Sequence, residues 1–576
     1  MKMDANGGES GAKLDRREFV RLAAAMAAAG GLTGGGAALA QERGARRGGG
    51  RGRGGQAAEQ PPLPQLGNGE PPAIQFQAYP GGTGALIEKI ARERGWAAFD
   101  RKTIEPEPWS GPVPATEEEL AFQPVHRLAA LIKSGRVTPT QLTDIYLERL
   151  NRYNPTLNCA VTIMDGPARE AAQEAEREIR AGNYRGPLHG IPWGVKDLFA
   201  VRGTPTMWGS ADFEQQVLDF DSEVVVRLRN AGAILIAKLA TGQFAQGDRW
   251  FRGRTNNPWN PSQGSSGSSA GPGSATAGGC VAFGIGTETQ GSIVSPARRC
   301  GLSALRPTFG RVSRHGGMTL AWTMDKVGPM CRTIEDVAIV FNAIHGADEK
   351  DPATLTAPFQ WERRPDLSKL RIGFTQGGDE NFQAFRAKLT ELGAELKEMP
   401  RLPGTRGLST LGVESAAAFQ FYTTRLAEQA AAAEAAAGEG AAGERGAAGE
   451  RGERGERGGE RGRGGRGGAR GRFTGGLTAN AVDFLQSQRR RLIVMHEMAE
   501  IMKDFDMFVS NSGEVGLTNQ TGHPAAIVQI AMSEGDNPQP ICSTIVGDLF
   551  ADDKILSVAN LYQTSTDWHT RRPKMG

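Results

Sequence analysis

The sequence predicts an α/β fold in which helices flank a partly parallel sheet. Two observations predict it. Short apolar runs, IPWGVKDLF (191–199), AGAILIAKLA (231–240) and LRIGFTQ (370–376), alternate with helical stretches such as SEVVVRLRNAG (222–232). That is the rhythm of strands linked through helices. In addition, a 576-residue chain with 39% hydrophobic and 23% charged residues can bury a large core once its biased segments are set aside. The net charge of +3 points to no class of partner. The five cysteines (159, 280, 300, 331, 542) show neither close pairs nor metal-type spacing, which reads as buried thiols rather than a disulfide framework.

The chain opens on a targeting pattern. DRREFVR (15–21) carries the twin arginine Arg16-Arg17, and a weakly apolar Gly/Ala-rich core follows. A small-x-small site stands at Ala38-Leu39-Ala40. Residues 1–40 therefore read as a twin-arginine export signal, with a periplasmic or extracellular destination and the export machinery as partner. The competing reading is a tail with an alanine-rich helix. The apolar run is too short and too rich in glycine for a membrane span, and none is expected in the mature form.

Residues 41–117 are low-complexity and then Pro/Gly-rich, with one short helix expected near ALIEKIARERGW. The Arg-Gly run at 42–60 reads as a solvated spacer, and no obligate nucleic-acid partner is expected. Regular patterning starts at 118. Apolar positions from Phe122 to Ile132 fall at helical spacing, and Thr138 is an N-cap with Pro139 at the first helical position. Residues 167–181 make a third, charged helix. A Gly/Glu/Arg-rich insert runs from about 430 to 476. Glycine recurs there every third residue from Gly440 to Gly458, but without the proline a collagen helix needs. Such an excursion costs little to host between folded elements. LIVMHEMAEIMKDFDMFVS (492–510) resumes the pattern, and ADDKILSVANLYQTSTDWH (551–569) ends it as a helix.

The stretch Gly264–Ser295, GSSGSSAGPGSATAGGCVAFGIGTETQGSIVS, carries the chemistry. Its glycines among small residues suggest tight turns close to a ligand, with a helix starting around Gly273–Gly279. A serine nucleophile needs a base, and no histidine stands in an acid–base–serine pattern. Lys196, at the end of an apolar run, is the available base. Burial there would lower its pKa and leave a neutral amine. The alternative is a surface lysine paired with Asp197.

These motifs resemble the amidase-signature family, which includes the amidotransferase A subunits. The resemblance covers about 118–576, outside the 430–476 insert. It is carried by GPLHGIPWGVKDLF (186–199), GTETQGSIVSPARRCGLSALRPTFGRVSR (286–314) and MDKVGPMCRTIEDVAIV (324–340). TSTDWHTRRP (564–573) is similar to family C-termini. The resemblance implies a central mixed sheet of about eleven strands flanked by helices. It implies amide C–N hydrolysis by a Ser–Ser–Lys triad through an acyl-enzyme, with neither metal nor cofactor. The nucleophile falls on Ser292 and the lysine on Lys196. The middle serine stands 24 residues before the nucleophile in the family, which selects Ser268; Ser265 would need a three-residue insertion. The oxyanion donors would be the backbone amides of Thr289, Gln290, Gly291 and Ser292.

The chain departs from the family's TDTGGS-I-R. Glu288 is one methylene longer, Gln290 replaces a glycine and Val294 replaces an arginine. Losing that guanidinium favours a neutral small or medium-sized amide as substrate, although Arg298 and Arg299 could compensate. Trp208, Trp250 and Phe251, between the lysine and serine motifs, are candidates for a pocket wall or for core packing. The functions that compete with an exported amide hydrolase are a glutaminase subunit supplying ammonia to a partner and a non-catalytic amidase-like binding protein.

Overall fold

The computed structural model describes Tyr79, residues 82–442, Phe473, residues 476–511 and residues 514–575. The export pattern at 1–40, the Arg-Gly run at 42–60 and most of the 430–476 insert lie outside the described residues. One mixed sheet organises the rest. Its first half comprises β1 (Ala160–Ile163), β2 (Pro192–Lys196), β3 (Ile234–Leu239), β8 (Phe283–Glu288), β9 (Ser303–Arg306) and β10 (Lys326–Cys331). Between β3 and β8 lie two small hairpins, β4 (Arg249–Trp250) with β5 (Gly253–Arg254), and β6 (Asn256–Asn257) with β7 (Asn260–Gly264). The second half adds β11 (Ile372–Phe374), β12 (Leu396–Glu398), β13 (Met507–Ser510), β14 (Ala525–Met532) and β15 (Pro540–Gly547).

The eleven strands run in the order β1-β3-β2-β8-β10-β9-β14-β15-β13-β11-β12. This is the α/β fold with an eleven-stranded mixed sheet that the motifs imply. β2 pairs parallel with both β3 and β8, and β11 pairs parallel with β12 and β13. The other ladders are antiparallel.

Local sequence explains the flanking helices. Thr138 accepts from the Gln141 amide and Pro139 opens the helix Pro139–Leu157, as the Thr-Pro pair predicts. Thr333 caps Ile334–Ile344 in the same way, whose apolar side chains are almost all buried. The charged stretch expected at 167–181 is the helix Asp165–Arg180, which buries only its alanine stripe at 168, 172 and 175. The N-terminal helix spans Gly82–Arg94, and the C-terminal one Asp552–Thr564. The helix Gln420–Ala442 runs into the start of the Gly/Glu/Arg-rich insert. All five cysteines are buried and free. Among the described residues no helix is long and apolar enough to cross a membrane.

β2 and β8 are the strands that position the candidate site. They are parallel neighbours, with Trp193, Gly194 and Val195 facing Phe283, Gly284 and Ile285. Their carboxyl ends therefore lie on the same edge of the sheet. Lys196 ends β2 and Thr287-Glu288 ends β8, at the edge where open α/β sheets place their ligands.

Candidate active site

Lys196 is wholly buried. Its Nζ lies 2.8 Å from Ser268 Oγ, 2.8 Å from Thr287 Oγ1 and 3.2 Å from Ser269 Oγ. All are neutral oxygens. Burial pushes the ammonium well below the ordinary lysine value, and the more distant carboxylates of Asp325 and Glu288 pull it back only in part. The amine is thereby available as a base at a pH where a surface lysine is not.

The serine-rich stretch divides into a loop and a helix. Ser268 follows a cis peptide from Gly267. The helix Ala270–Ala277 starts two residues later, slightly earlier than the expected 273–279, and every side chain in it is buried. Only small residues fit so close to the sheet. Ser269 ties the loops together. Its amide donates to the Ser292 carbonyl at 3.1 Å, and its hydroxyl donates to Thr287 O at 3.0 Å. Ser265 Oγ turns instead to the Ser266 carbonyl at 3.1 Å. The structure thus brings Lys196 together with Ser268 rather than with Ser265.

The segment 289–294 carries Ser292. Gly291 has a φ of 95°, where a side chain would be strained, so the residue before Ser292 has to be glycine. Gln290 is exposed, which explains how the chain accommodates it in place of a glycine. Ser292 is part-exposed, and among the described residues no group hydrogen-bonds its hydroxyl. Glu288 shapes this segment from beneath. Its carboxylate accepts from the amides of Ile293 (2.8 Å) and Val294 (2.9 Å), while Asn519 and Arg306 hold its other oxygen at 2.7 and 3.3 Å. Burial alone would raise this carboxyl. Arg306, the two amides and Asn519 more than offset it and hold Glu288 below its usual value.

Thr289 is anchored from the other side. Its hydroxyl donates to Asp325 Oδ1 at 2.6 Å, and Asp325 Oδ2 accepts from the amides of Leu320 and Ala321 at 2.8 and 3.0 Å. Sequence reasoning passed over Thr287, Ser269 and Asp325. The signals for Thr287 and Asp325 lay in GTETQGS and MDKVGPM, and Ser269 adjoins Ser268 in GSSGSS. A cavity of about 660 Å3 is lined by Thr287, Thr289 and Asp325, and it extends to His315 and the exposed Trp322.

The aromatic candidates separate. Trp208 packs against Phe213 (centroids 4.7 Å apart) within a cluster that also holds Phe244, Phe419, Tyr422 and Phe473. Leu198 and Leu320 belong to both this cluster and the cavity lining, so the cluster backs the cavity wall. Trp250 and Phe251 pack instead with Val161, Met207 and Ala240 in a small core of their own. Val294 is buried against Ile293, Ala297 and Ile527. Among the described residues no group of three or more His, Cys, Asp or Glu side chains could hold a metal ion.

Comparison with known proteins shows the family. The family model described as Amidase matches residues 141–513. The A subunit of glutamyl-tRNA(Gln) amidotransferase from Methylococcus capsulatus is 31% identical over 487 residues, covering 77% of this chain and 97% of the relative. That of Chloroflexus aggregans is 31% identical, covering 79% and 99%. Among solved structures, the native peptide amidase of Stenotrophomonas maltophilia superposes with a TM-score of 0.65 at 25% identity, over 78% of this chain and 98% of that one. A peptide amidase bound to the competitive inhibitor chymostatin gives 0.66 at 26% identity, over 79% and 99%. The chain belongs to the amidase family and is an enzyme of its hydrolase class, acting on amide C–N bonds.

Proposed function

We propose that this protein hydrolyses an amide through an acyl-enzyme formed on Ser292, with Ser268 as proton relay and Lys196 as base. The observation that carries this reading is the buried Lys196 amine held 2.8 Å from Ser268 Oγ with no carboxylate in contact. Ser292 Oγ attacks the carbonyl carbon as its proton passes to Ser268, which gives its own proton to neutral Lys196. The amides of Thr289, Gln290, Gly291 and Ser292 receive the developing oxyanion. Each such donor is worth about 3 kcal/mol in a transition state. The proton then returns through Ser268 to the leaving nitrogen, and the C–N bond breaks. Water attacks the acyl-enzyme by the same relay, releasing the acid and restoring Ser292. Ammonia or an amine is the other product.

Ser292→Ala should abolish turnover of small aryl, aliphatic and amino-acid amides, read as ammonia or amine release. An acyl adduct mapped by mass spectrometry should sit on Ser292 in the parent. Normal hydrolysis by Ser292→Ala refutes the assignment.

A second reading, a glutaminase that supplies ammonia to a partner, is favoured by the names of the amidotransferase relatives. Partner-dependent ammonia release from glutamine, with no amidase activity of the isolated chain, would select it. The twin arginine favours the first reading, because an export signal would take the chain out of the compartment where charged tRNA is made. Arg16→Lys with Arg17→Lys should leave the protein in the cytoplasmic fraction. Unchanged export removes that argument.

A further inference from the structure

The segment 289–294 is held from two sides, and one buried guanidinium joins the two holds. On one side Thr289 bonds Asp325, and Asp325 closes the turn 320–325 by accepting from the Leu320 and Ala321 amides. Thr323 lies within that turn. On the other side Glu288 accepts from the amides of Ile293 and Val294, and Asn519, on the helix Val515–Thr521, donates to Glu288 Oε1. The same helix also abuts the segment directly. A Cβ added at Gly291 would fall 3.2 Å from Val515 Cγ1. Gln520 follows Asn519 on that helix.

Arg491 connects the turn to the helix. It lies on the helix Ala481–Met502 and is 2% exposed. Its Nε donates to Gln520 O at 2.8 Å, Nη1 to Thr323 Oγ1 at 2.6 Å and Nη2 to Thr323 O at 2.8 Å. A planar fork can span two such acceptors at once, which the point charge of an ammonium does not. Thr323 is gripped from its other side by Glu414, on the helix Thr410–Ala418. Glu414 accepts from the Thr323 amide at 3.0 Å and from its hydroxyl at 2.6 Å. Burial pulls the Arg491 pKa down to about 10, and the Glu414 charge offsets part of that pull, so the guanidinium stays a cation at neutral pH. Arg311 is buried as deeply, but it donates to Ala357 O and Pro358 O, in neither the turn nor the helix.

We propose that Arg491 is a positioning residue for amide hydrolysis: it fixes the turn and the helix relative to each other and so aims the amides of Thr289, Gln290, Gly291 and Ser292 at the oxyanion. Such amides tighten their bonds only as charge develops on the carbonyl oxygen. A misaimed set therefore costs transition-state stabilisation and leaves substrate binding alone. The inference rests on Ser292 as nucleophile, and it adds to that reading a residue that is remote in the chain and touches no reacting atom.

The test uses whichever small aryl, aliphatic or amino-acid amide the parent turns over fastest. It reads kcat per folded enzyme, KM and Tm, with the folded fraction taken from near-ultraviolet circular dichroism. Arg491→Met should lower kcat by about a hundredfold and change KM by no more than about twofold. Arg491→Lys can reach the turn or the helix but not both, and should lose about tenfold in kcat. Arg491→Met also leaves Glu414 without the cation that faces it, so Tm should fall. Adding Glu414→Gln removes the stranded charge and keeps an acceptor for Thr323. Tm should then recover in part while kcat stays low. Arg311→Met should lower Tm but leave kcat of the folded enzyme near the parent value. A parent-like kcat in Arg491→Met, a rise in KM in place of the loss in kcat, a kcat that recovers with Tm in the double variant, or an equal kcat loss in Arg311→Met overturns the proposal. Ser292→Ala keeps the two ideas apart. Its inactivity beside a fully active Arg491→Met sinks the clamp and leaves the nucleophile standing, whereas turnover by Ser292→Ala refutes the nucleophile itself.

Discussion

Lys196 and Lys238 stand on adjacent parallel strands, and neither side chain reaches solvent. Their partners differ. Lys238 meets Asp197 Oδ1 at 2.8 Å and also donates to Pro205 O and Thr206 Oγ1. Lys196 meets hydroxyls and a carbonyl but touches no carboxylate. Burial lowers the pKa of both. For Lys238 the Asp197 charge offsets part of that cost, whereas Lys196 is left well below its ordinary value. One buried cation is neutralised by a counter-ion, and the other is left able to shed its proton. Burial alone does not make a base; the absence of a contacting carboxylate does.

The sharpest way to break this contrast is Lys196→Arg. Arginine keeps a cation in the pocket but does not deprotonate. Amide turnover should fall by about a thousandfold or more if the neutral amine is the base. In the parent, kcat/KM should rise with pH as Lys196 passes from ammonium to amine. A base that works deprotonated fixes the sign, and the downward shift puts the end of the rise below the ordinary lysine range. A limb that still rises within the ordinary lysine range, or an active arginine variant, removes the contrast.

Lys238→Met tests the other side. It strands Asp197 as an unpaired buried carboxylate, which costs about 3–5 kcal/mol of stability. Thermal unfolding should show that loss, and Asp197→Asn added to it should recover part. A wild-type Tm for the single variant would mean that the pair holds nothing together. Rates measured on the folded fraction should change far less than in Lys196→Arg.

The two lysines also show what the sequence exposes and what it hides. Lys196 next to Asp197 looks like an ion pair when read along the chain. Successive residues at a strand end point to opposite faces, so Asp197 shares a face with Val195. Val195 stands beside Lys238 in the parallel ladder, and this brings Asp197 to Lys238. Period two excludes the neighbour, but choosing Lys238 requires the strand register. The order of helices and strands was legible because apolar spacing and caps are local, as Thr138-Pro139 shows. Lys196, Ser268 and Ser292 were selected through motifs whose spacing the chain keeps. Asp325 was not selected, because its bond to Thr289 spans 36 residues and joins two separate motifs. The aromatic candidates failed to resolve for a similar reason. Trp208, Trp250 and Phe251 are near in sequence but join different clusters.

Glu288→Gln sharpens the comparison at intermediate size. Glu288 is a buried carboxylate with a structural task, holding the amides of Ile293 and Val294 beneath Ser292. An amide in its place loses the charge that faces Arg306 and offers one acceptor instead of two. We expect kcat to fall by about 10- to 100-fold, since a charged hydrogen bond is worth about 1.5–3 kcal/mol and here it shapes the loop that carries Ser292. KM should change less. A parallel rise in KM would place Glu288 in substrate binding rather than beneath the loop.

The smallest effect belongs to Asp325→Asn, and it tests how far the Lys196 pocket is shielded from charge. Asp325 heads the two carboxylates whose fields favour the Lys196 ammonium. Burial raises its own pKa, and the Thr289 hydroxyl with the Leu320 and Ala321 amides offsets that only in part. Asparagine keeps an oxygen for Thr289 or for the two amides, so the loop should hold and the maximal rate should fall by no more than about tenfold. Removing the negative charge makes the ammonium still less favourable. The rising limb of kcat/KM should therefore move to lower pH than in the parent. Movement to higher pH would contradict the charge order assigned to the pocket. An unmoved limb would mean that Asp325 carries a proton in the active enzyme, acting on Thr289 through its hydrogen bond and not on Lys196 through its field.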